Sequence, residues 1–278
     1  MGRELSKQQQ ICRSVLKTYR KEIFNPFIEA VRRYELIEKD DKIAVCISGG
    51  KDSMLMAVLL QHLQQFSEVP FSLTFLSMDP GYNARNREKI IANAKLLGIP
   101  LTMFESDIFK VVDHVGGAPC YLCARMRRGH LYAKAKELGC NKIALGHHFS
   151  DVIETTLMGM LHGAQLQGML PKLKSTNFAG MELIRPLYCV HEDAIIKWAK
   201  HNDLTFIRCA CRMTEKTQTD LGASKRLEVK ELIRTLKKEN PLVEKNIFNA
   251  IHNVNVDTFV EYKMNGQRHS FLEKFKES

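Results

Sequence analysis

The chain has 278 residues, of which 45% are hydrophobic and 26% charged, an ordinary globular composition that excludes a disordered or collagen-like chain. No apolar run approaches the ~18 residues of a membrane-spanning helix, and the opening MGRELSKQQQ carries no apolar signal core, so a cytoplasmic location is expected. The formal net charge of +10 suits a polyanionic partner such as nucleic acid.

In chain order, residues 5–38 are predicted helical, with a break near Asn25-Pro26, where proline disfavours continuation. Residues 42–47 form a short β-branched apolar run, the mark of a buried parallel strand. A loop at 48–53 and a helix over 54–63 follow. A strand over 71–78, a helix over 84–97 and a strand over 100–104 come next. Then a helix is predicted over 125–138, a strand over 142–145 and a helix over 151–161. A strand end at 183–186 and a helix over 192–201 close the core. Strands alternating with helices imply an α/β doubly wound parallel sheet. The tail from about 224 reads as all-helical, with helices over 225–238 and 243–262. The organisation is an N-terminal helical segment at 1–40, an α/β domain at 41–205 and a C-terminal helical segment at 206–278.

Positive charge is clustered. Residues 120–140 hold Arg125, Arg127, Arg128, Lys134 and Lys136 against Glu137 alone. Residues 208–238 add a second basic stretch, including Arg226 and Lys230. Clustered cations neutralise phosphates better than scattered ones.

Between the first strand and its helix lies Ser48-Gly49-Gly50-Lys51-Asp52-Ser53. Glycines let a backbone approach an anion closely and tolerate positive φ. Ser48 and Ser53 offer hydroxyls, Lys51 a charge, and the helix that starts near Asp52 its free N–H groups and positive dipole end. The spacing is not that of a Walker loop, which has four residues between Gly and Gly-Lys.

Strand, SGGKDS and helix together resemble the pyrophosphate-loop (PP-loop) ATP-pyrophosphatases, of the adenine nucleotide alpha hydrolase (HUP-like) fold. Two further motifs narrow the resemblance. One is Gly146-His147-His148-x-x-Asp151-x-x-Glu154-Thr155. The other is Pro119-Cys120-x-x-Cys123-x-Arg125-x-Arg127-Arg128-Gly129. With Pro171-Lys172 and Arg185-Pro186-Leu187 they resemble the tRNA 2-thiocytidine synthetases over roughly residues 15–260.

The resemblance implies a sulfurtransferase that uses ATP to adenylate the C2 oxygen of a tRNA cytidine and replaces that oxygen with sulfur. ATP would sit on Ser48, Gly49, Gly50, Lys51, Asp52 and Ser53, with Asp79, Gly146, His147 and Asp151 around it and Mg2+ beside the phosphates. Asp79-Pro80-Gly81 also reads as a plain turn. Asp151 and Glu154 also read as a helix-start capping box; on a helix Asp151, Glu154 and Thr155 share one face. Lys51, Asp52 and Asp151 would be catalytic, together with the cysteines. Arg125, Arg127 and Arg128 would hold tRNA. The sulfur would come from a donor such as a cysteine desulfurase or free sulfide. Relatives in the resembled family form dimers; the periodicity here marks no interface.

The eight cysteines include two close pairs. Cys120, Cys123, Cys209 and Cys211 would suit a closed zinc site. Three thiolates would suit an iron–sulfur cluster with one iron left open. The resemblance implies the second, a 4Fe-4S cluster on Cys120, Cys123 and Cys211, with Cys209 as the alternative third ligand, because Cys209-Ala210-Cys211 departs from the usual Cys-x-x-Cys of relatives. Two other readings stay open. A lysidine-forming or thiouridine-forming relative would keep the adenylation chemistry. A zinc-stabilised, non-catalytic tRNA-binding module would lack it.

Overall fold

The computed structural model describes residues 5–106, 119–207 and 221–277, with side chains from Arg125 and Lys225 onward in the helices that open the second and third stretches. Cys209 and Cys211 therefore lie outside the described residues. Of Cys120 and Cys123 only the backbone is described.

The sheet contains β1 (Lys42–Cys46), β2 (Ser72–Asp79), β3 (Leu101–Glu105), β4 (Lys142–Ala144), β5 (Lys172–Lys174) and β6 (Glu182–Ile184), in the order β3-β2-β1-β4-β6-β5. All neighbours pair parallel except β5, which runs antiparallel along the edge of β6. Sequence periodicity leaves β5 unread, because three residues at an edge carry no pattern of their own.

β1 shows why its sequence is a continuous apolar run. Ile43, Val45 and Ile47 point into one buried cluster with α3 (Lys51–Phe66) and α7 (Glu192–His201). Ala44 and Cys46 point the other way, toward Tyr132 and Ala135 of α5 (Pro119–Glu137). A strand covered on both faces needs apolar residues at every position. α3 is itself buried from Ser53 to Leu60, which explains its weak amphipathic pattern. α4 (Ala84–Leu96) and α6 (Phe149–Gly163) complete the α/β core.

The N-terminal helical segment breaks eight residues earlier than predicted. α1 (Lys7–Leu16) is followed by a π-turn at Arg20–Phe24, and α2 (Asn25–Arg33) then starts at the predicted breakpoint. Pro26 stands in the first turn of α2, where its missing N–H costs nothing.

The tail is not all-helical. α8 (Leu221–Glu239) and α9 (Val243–Ala250) form, but the predicted long second helix stops at Ala250. A 3-10 turn at Val256–Thr258, a hairpin of β7 (Glu261–Met264) and β8 (Gln267–Ser270), and α10 (Phe271–Glu277) follow. Asn265 and Gly266 take positive φ, +53° and +81°, the conformation a two-residue hairpin turn requires. Among the described residues no helix is long and apolar enough to cross a membrane.

Candidate active site

Strand order reverses direction between β1 and β4, and in an open α/β sheet ligands bind beyond the carboxyl ends at such a switch point. A cavity of about 310 Å³ opens there. Its walls are Ser48, Asp52 and Ser53 after β1, Gly146, His147 and Asp151 after β4, Met78 near the end of β2 and Tyr82 after it, and Arg127 and Leu131 of α5.

The 48–53 loop is closed by its own hydroxyls. Ser53 Oγ donates to Gly50 O at 3.0 Å and accepts from Ser48 N at 3.2 Å and Ser48 Oγ at 3.1 Å. Gly50 is the N-cap of α3 and makes no side-chain cap. The first-turn N–H groups of a helix have no carbonyl within it; in α3 they belong to Lys51, Asp52 and Ser53, and free N–H groups of this kind suit an anion.

The glycines differ. Gly49 has φ +83°, and a Cβ there would stand 2.5 Å from Ile90 Cγ1. Gly146 lies against the start of α3, where a Cβ would stand 3.0 Å from Ser53 N. These two are required by the fold. Gly50 has φ −79°, and its Cβ would meet only Ser48 Oγ at 3.5 Å. The protein itself leaves room for a side chain at 50.

α6 begins at Phe149 with His148 as N-cap. His148 N donates to Asp151 Oδ2 at 3.0 Å, and Asp151 N donates to His148 Nδ1 at 3.4 Å. The capping box is therefore His148–Asp151, one turn position earlier than the Asp151–Glu154 box read from sequence. His148 Nε2, on the other side of the ring, faces Asp52 Oδ1 at 3.7 Å. His148 thus bridges the two loops, a role sequence reading assigned to neither histidine in particular.

Charge is dense around the cavity. Burial raises the Asp52 carboxyl, against the pull of His148 and Lys51. Its Oδ1 accepts no hydrogen bond among the described residues. Burial acts to raise Asp151 too, but His148, whose backbone N–H also donates to it, and Arg226 outweigh it and hold that carboxyl below its ordinary value. His147 is pulled down to about 4 by burial and then by Arg185, so its imidazole is neutral. Its Nδ1 is buried without a partner among the described residues. The Arg185 guanidinium is itself lowered to about 10, by burial and by Arg128; it donates to Leu170 O.

A PP-loop domain model matches residues 19–216. A tRNA-cytidine(32) 2-sulfurtransferase of Geobacter metallireducens is 36% identical over 86% of this chain and 91% of its own. The enzyme of the same name from Methylobacillus flagellatus is 39% identical over 81% and 73%. The chain belongs to the PP-loop family, in its tRNA-cytidine(32) 2-sulfurtransferase branch. Among solved structures, the U34-tRNA thiolase NcsA of Methanococcus maripaludis with its [4Fe-4S] cluster superposes with a TM-score of 0.64 at 21% identity, covering 84% of this chain and 79% of that one. That likeness is one of fold, and it is the same mostly parallel PP-loop sheet.

Within this PP-loop architecture several anticipated residues stand apart from the cavity wall. Lys51 Nζ turns to Asp52 at 3.2 Å and to Glu192 at 3.0 Å. Burial acts to lower this ammonium, but the two carboxylates raise it above its usual value. Asp79 Oδ1 accepts from Gly81 N at 2.9 Å and Tyr82 N at 2.7 Å. Its carboxylate shapes the turn, and Tyr82 faces the cavity instead. Glu154 and Thr155 are engaged by Arg226 of α8, which also reaches Asp151 Oδ1 at 3.1 Å. Of the basic trio, Arg127 lines the cavity, while Arg125 and Arg128 are exposed.

Cys120 and Cys123 are the second and fifth residues of α5, and Cys123 precedes the cavity residue Arg127 by four residues, about 6 Å of helix rise. Among the described residues no cluster of three or more His, Cys, Asp or Glu could hold a metal ion. Sequence reasoning missed Glu192 and read Arg226 and Lys230 only as part of a basic stretch; the approach of all three to the site is purely tertiary.

Proposed function

We propose that this chain binds ATP at the 48–53 loop, adenylates the C2 oxygen of a tRNA cytidine and replaces that oxygen with sulfur, giving 2-thiocytidine. The observation that carries this reading is the meeting of the SGGKDS anion seat, Asp151 and Arg127 around one cavity at the sheet's switch point. The choice of cytidine rests on the relatives' names.

In this reading the first-turn N–H groups of α3 and the Ser48 hydroxyl hold the phosphates, and Gly50 admits them closely. Lys51 neutralises charge that develops as the cytosine oxygen attacks the α-phosphorus and pyrophosphate departs. Arg127 faces the same space and steadies the incoming nucleotide. Hydrosulfide sulfur then attacks C2, the C2–O bond breaks, AMP leaves with the oxygen, and the sulfur proton goes to solvent or a nearby base. The target base must be reachable, which favours a single-stranded loop. Arg125 and Arg128 extend a basic rim for tRNA phosphates.

Asp52 Oδ1, buried and with no hydrogen bond among the described residues, and Asp151 fit a hard cation and would hold Mg2+, which would supply charge neutralisation at the phosphates. Cys120, Cys123 and Cys211 are the thiols that would hold a 4Fe-4S cluster, a donor set suited to iron; such a cluster supplies an open iron for the incoming sulfur. A cysteine desulfurase or free sulfide would deliver that sulfur.

The test is ATP–pyrophosphate exchange with tRNA present, compared between the wild-type chain and Asp151→Asn. Exchange in the wild type and its loss in the variant supports the reading. A wild type that binds tRNA but never exchanges pyrophosphate removes it.

A further inference from the structure

Two cations from distant parts of the chain share one carboxylate beside the phosphate loop. Glu192 opens α7. Its Oε1 lies 3.0 Å from Lys51 Nζ, and its Oε2 accepts from Lys230 Nζ of α8. The side chains of Lys51, Glu192 and Lys230 are 25%, 16% and 30% exposed, so water screens the trio only in part. Burial acts to raise Glu192, yet Lys230 and Lys51 hold its carboxyl down to about 2.

We propose that Glu192 is a positioning residue for which Lys51 and Lys230 compete, so that ATP, by drawing Lys51 onto phosphate, leaves Glu192 to Lys230 and tightens the docking of α8. This rests on the reading that Lys51 contacts the nucleotide. Three observations support it. Lys51 is turned to Glu192 and Asp52 and does not line the cavity it must serve. The two ammonium groups on one carboxylate repel each other, so removing either strengthens the hold on the other. One turn earlier Arg226 fixes α8 on Asp151 and Thr155, and Val229 and Ile233 bury its inner face. The helix therefore stays docked, and the change is a graded tightening.

The consequence reaches the sulfur chemistry. α8 begins at Leu221, ten residues after Cys211 in the sequence. Coupling between sites is reciprocal. Whatever secures α8 then favours nucleotide, and nucleotide secures the helix that follows Cys209 and Cys211 in the sequence.

The experiment is calorimetric binding of the α,β-methylene analogue of ATP, with Mg2+, to the full chain and to Glu192→Gln, Lys230→Met and the double variant. Thermal melts serve as the check on folding. Glu192→Gln frees Lys51 and should bind about fivefold tighter; Lys230→Met leaves Glu192 wholly to Lys51 and should bind about fivefold weaker. The double variant should match Glu192→Gln within twofold, because without the carboxylate there is nothing to compete for. A double variant that returns to wild-type affinity means simple additive field effects and overturns the proposal, as does weaker binding by Glu192→Gln. Hydrogen exchange gives a second readout: the analogue should slow amide exchange in α8 of the wild type and leave Glu192→Gln unchanged. A wild type that binds no analogue fails the nucleotide reading itself, which is a different result from additivity.

Discussion

Substituting Gly50 by alanine separates what the fold needs from what a ligand needs. The backbone at Gly50 has φ −79° and ψ 161°, which alanine adopts without strain. The added Cβ would meet only Ser48 Oγ, at 3.5 Å, an ordinary contact. Alanine is a poorer N-cap than glycine by about 0.5–1 kcal/mol, and lost freedom in the unfolded chain returns about 0.4–1 kcal/mol. The two nearly cancel, so Gly50→Ala should melt within about 3 °C of the wild type. Its nucleotide affinity should nevertheless fall. A methyl group placed where phosphate packs against the loop costs about 1–3 kcal/mol, which is about 5- to 150-fold in Kd. Gly49→Ala is the opposite case. It forces alanine to φ +83° with its Cβ 2.5 Å from Ile90 Cγ1, and should cost about 2–5 kcal/mol of stability. The assays are thermal unfolding and calorimetric ATP titration on both variants. A Gly50→Ala protein that is folded and binds ATP as the wild type does would refute the assignment of this loop to phosphate.

Asp151→Asn loses charge from the His148 capping box and from the Arg226 pair, and should abolish pyrophosphate exchange while costing about 1–3 kcal/mol in urea melts. Lys142 lies at the amino end of β4, away from the cavity, 1% exposed and 2.7 Å from Asp41. Lys142→Met removes the ammonium paired with buried Asp41 and should cost about 3–5 kcal/mol, with ATP affinity unchanged in whatever fraction stays folded. His147, lowered to about 4 in the folded chain, binds its proton more tightly when unfolded, where its pKa is about 6.5. The unfolded state therefore gains protons first on acidification, and of order 2 kcal/mol of stability should be lost as pH falls from about 6.5 toward 4. In His147→Gln that part of the pH–stability slope should vanish; an unchanged slope would refute a neutral, buried imidazole. Cys123→Ser should lose iron and thiolated product together, measured by iron assay and nucleoside analysis, while still binding ATP.

The core of this fold is legible because its signals are local. The apolar run at 42–47, the SGGKDS loop and the alternation of strands with helices place the sheet, the turn from β1 into α3 and the switch point. Pro26 misleads because a proline that ends one helix and a proline that opens another look alike until the preceding π-turn at Arg20–Phe24 is known. The hairpin of the tail was signalled by Asn265-Gly266, the strongest short-range hairpin pair, which the helical reading of the tail passes over. The His148 cap was masked because histidine is a rare N-cap and Asp151 is a common one. Glu192, Lys230 and Arg226 carry no motif. They matter because α7 and α8 happen to meet beside the 48–53 loop, and only packing can report that.

The central claim is tested most directly by nucleoside mass spectrometry of tRNA from a bacterial host that lacks 2-thiocytidine, with this chain supplied or absent. The account predicts that 2-thiocytidine appears with the wild-type chain and not with Asp151→Asn or Cys123→Ser. Expressed, folded, iron-loaded wild-type protein that yields no 2-thiocytidine, or that yields lysidine or a thiouridine instead, contradicts it.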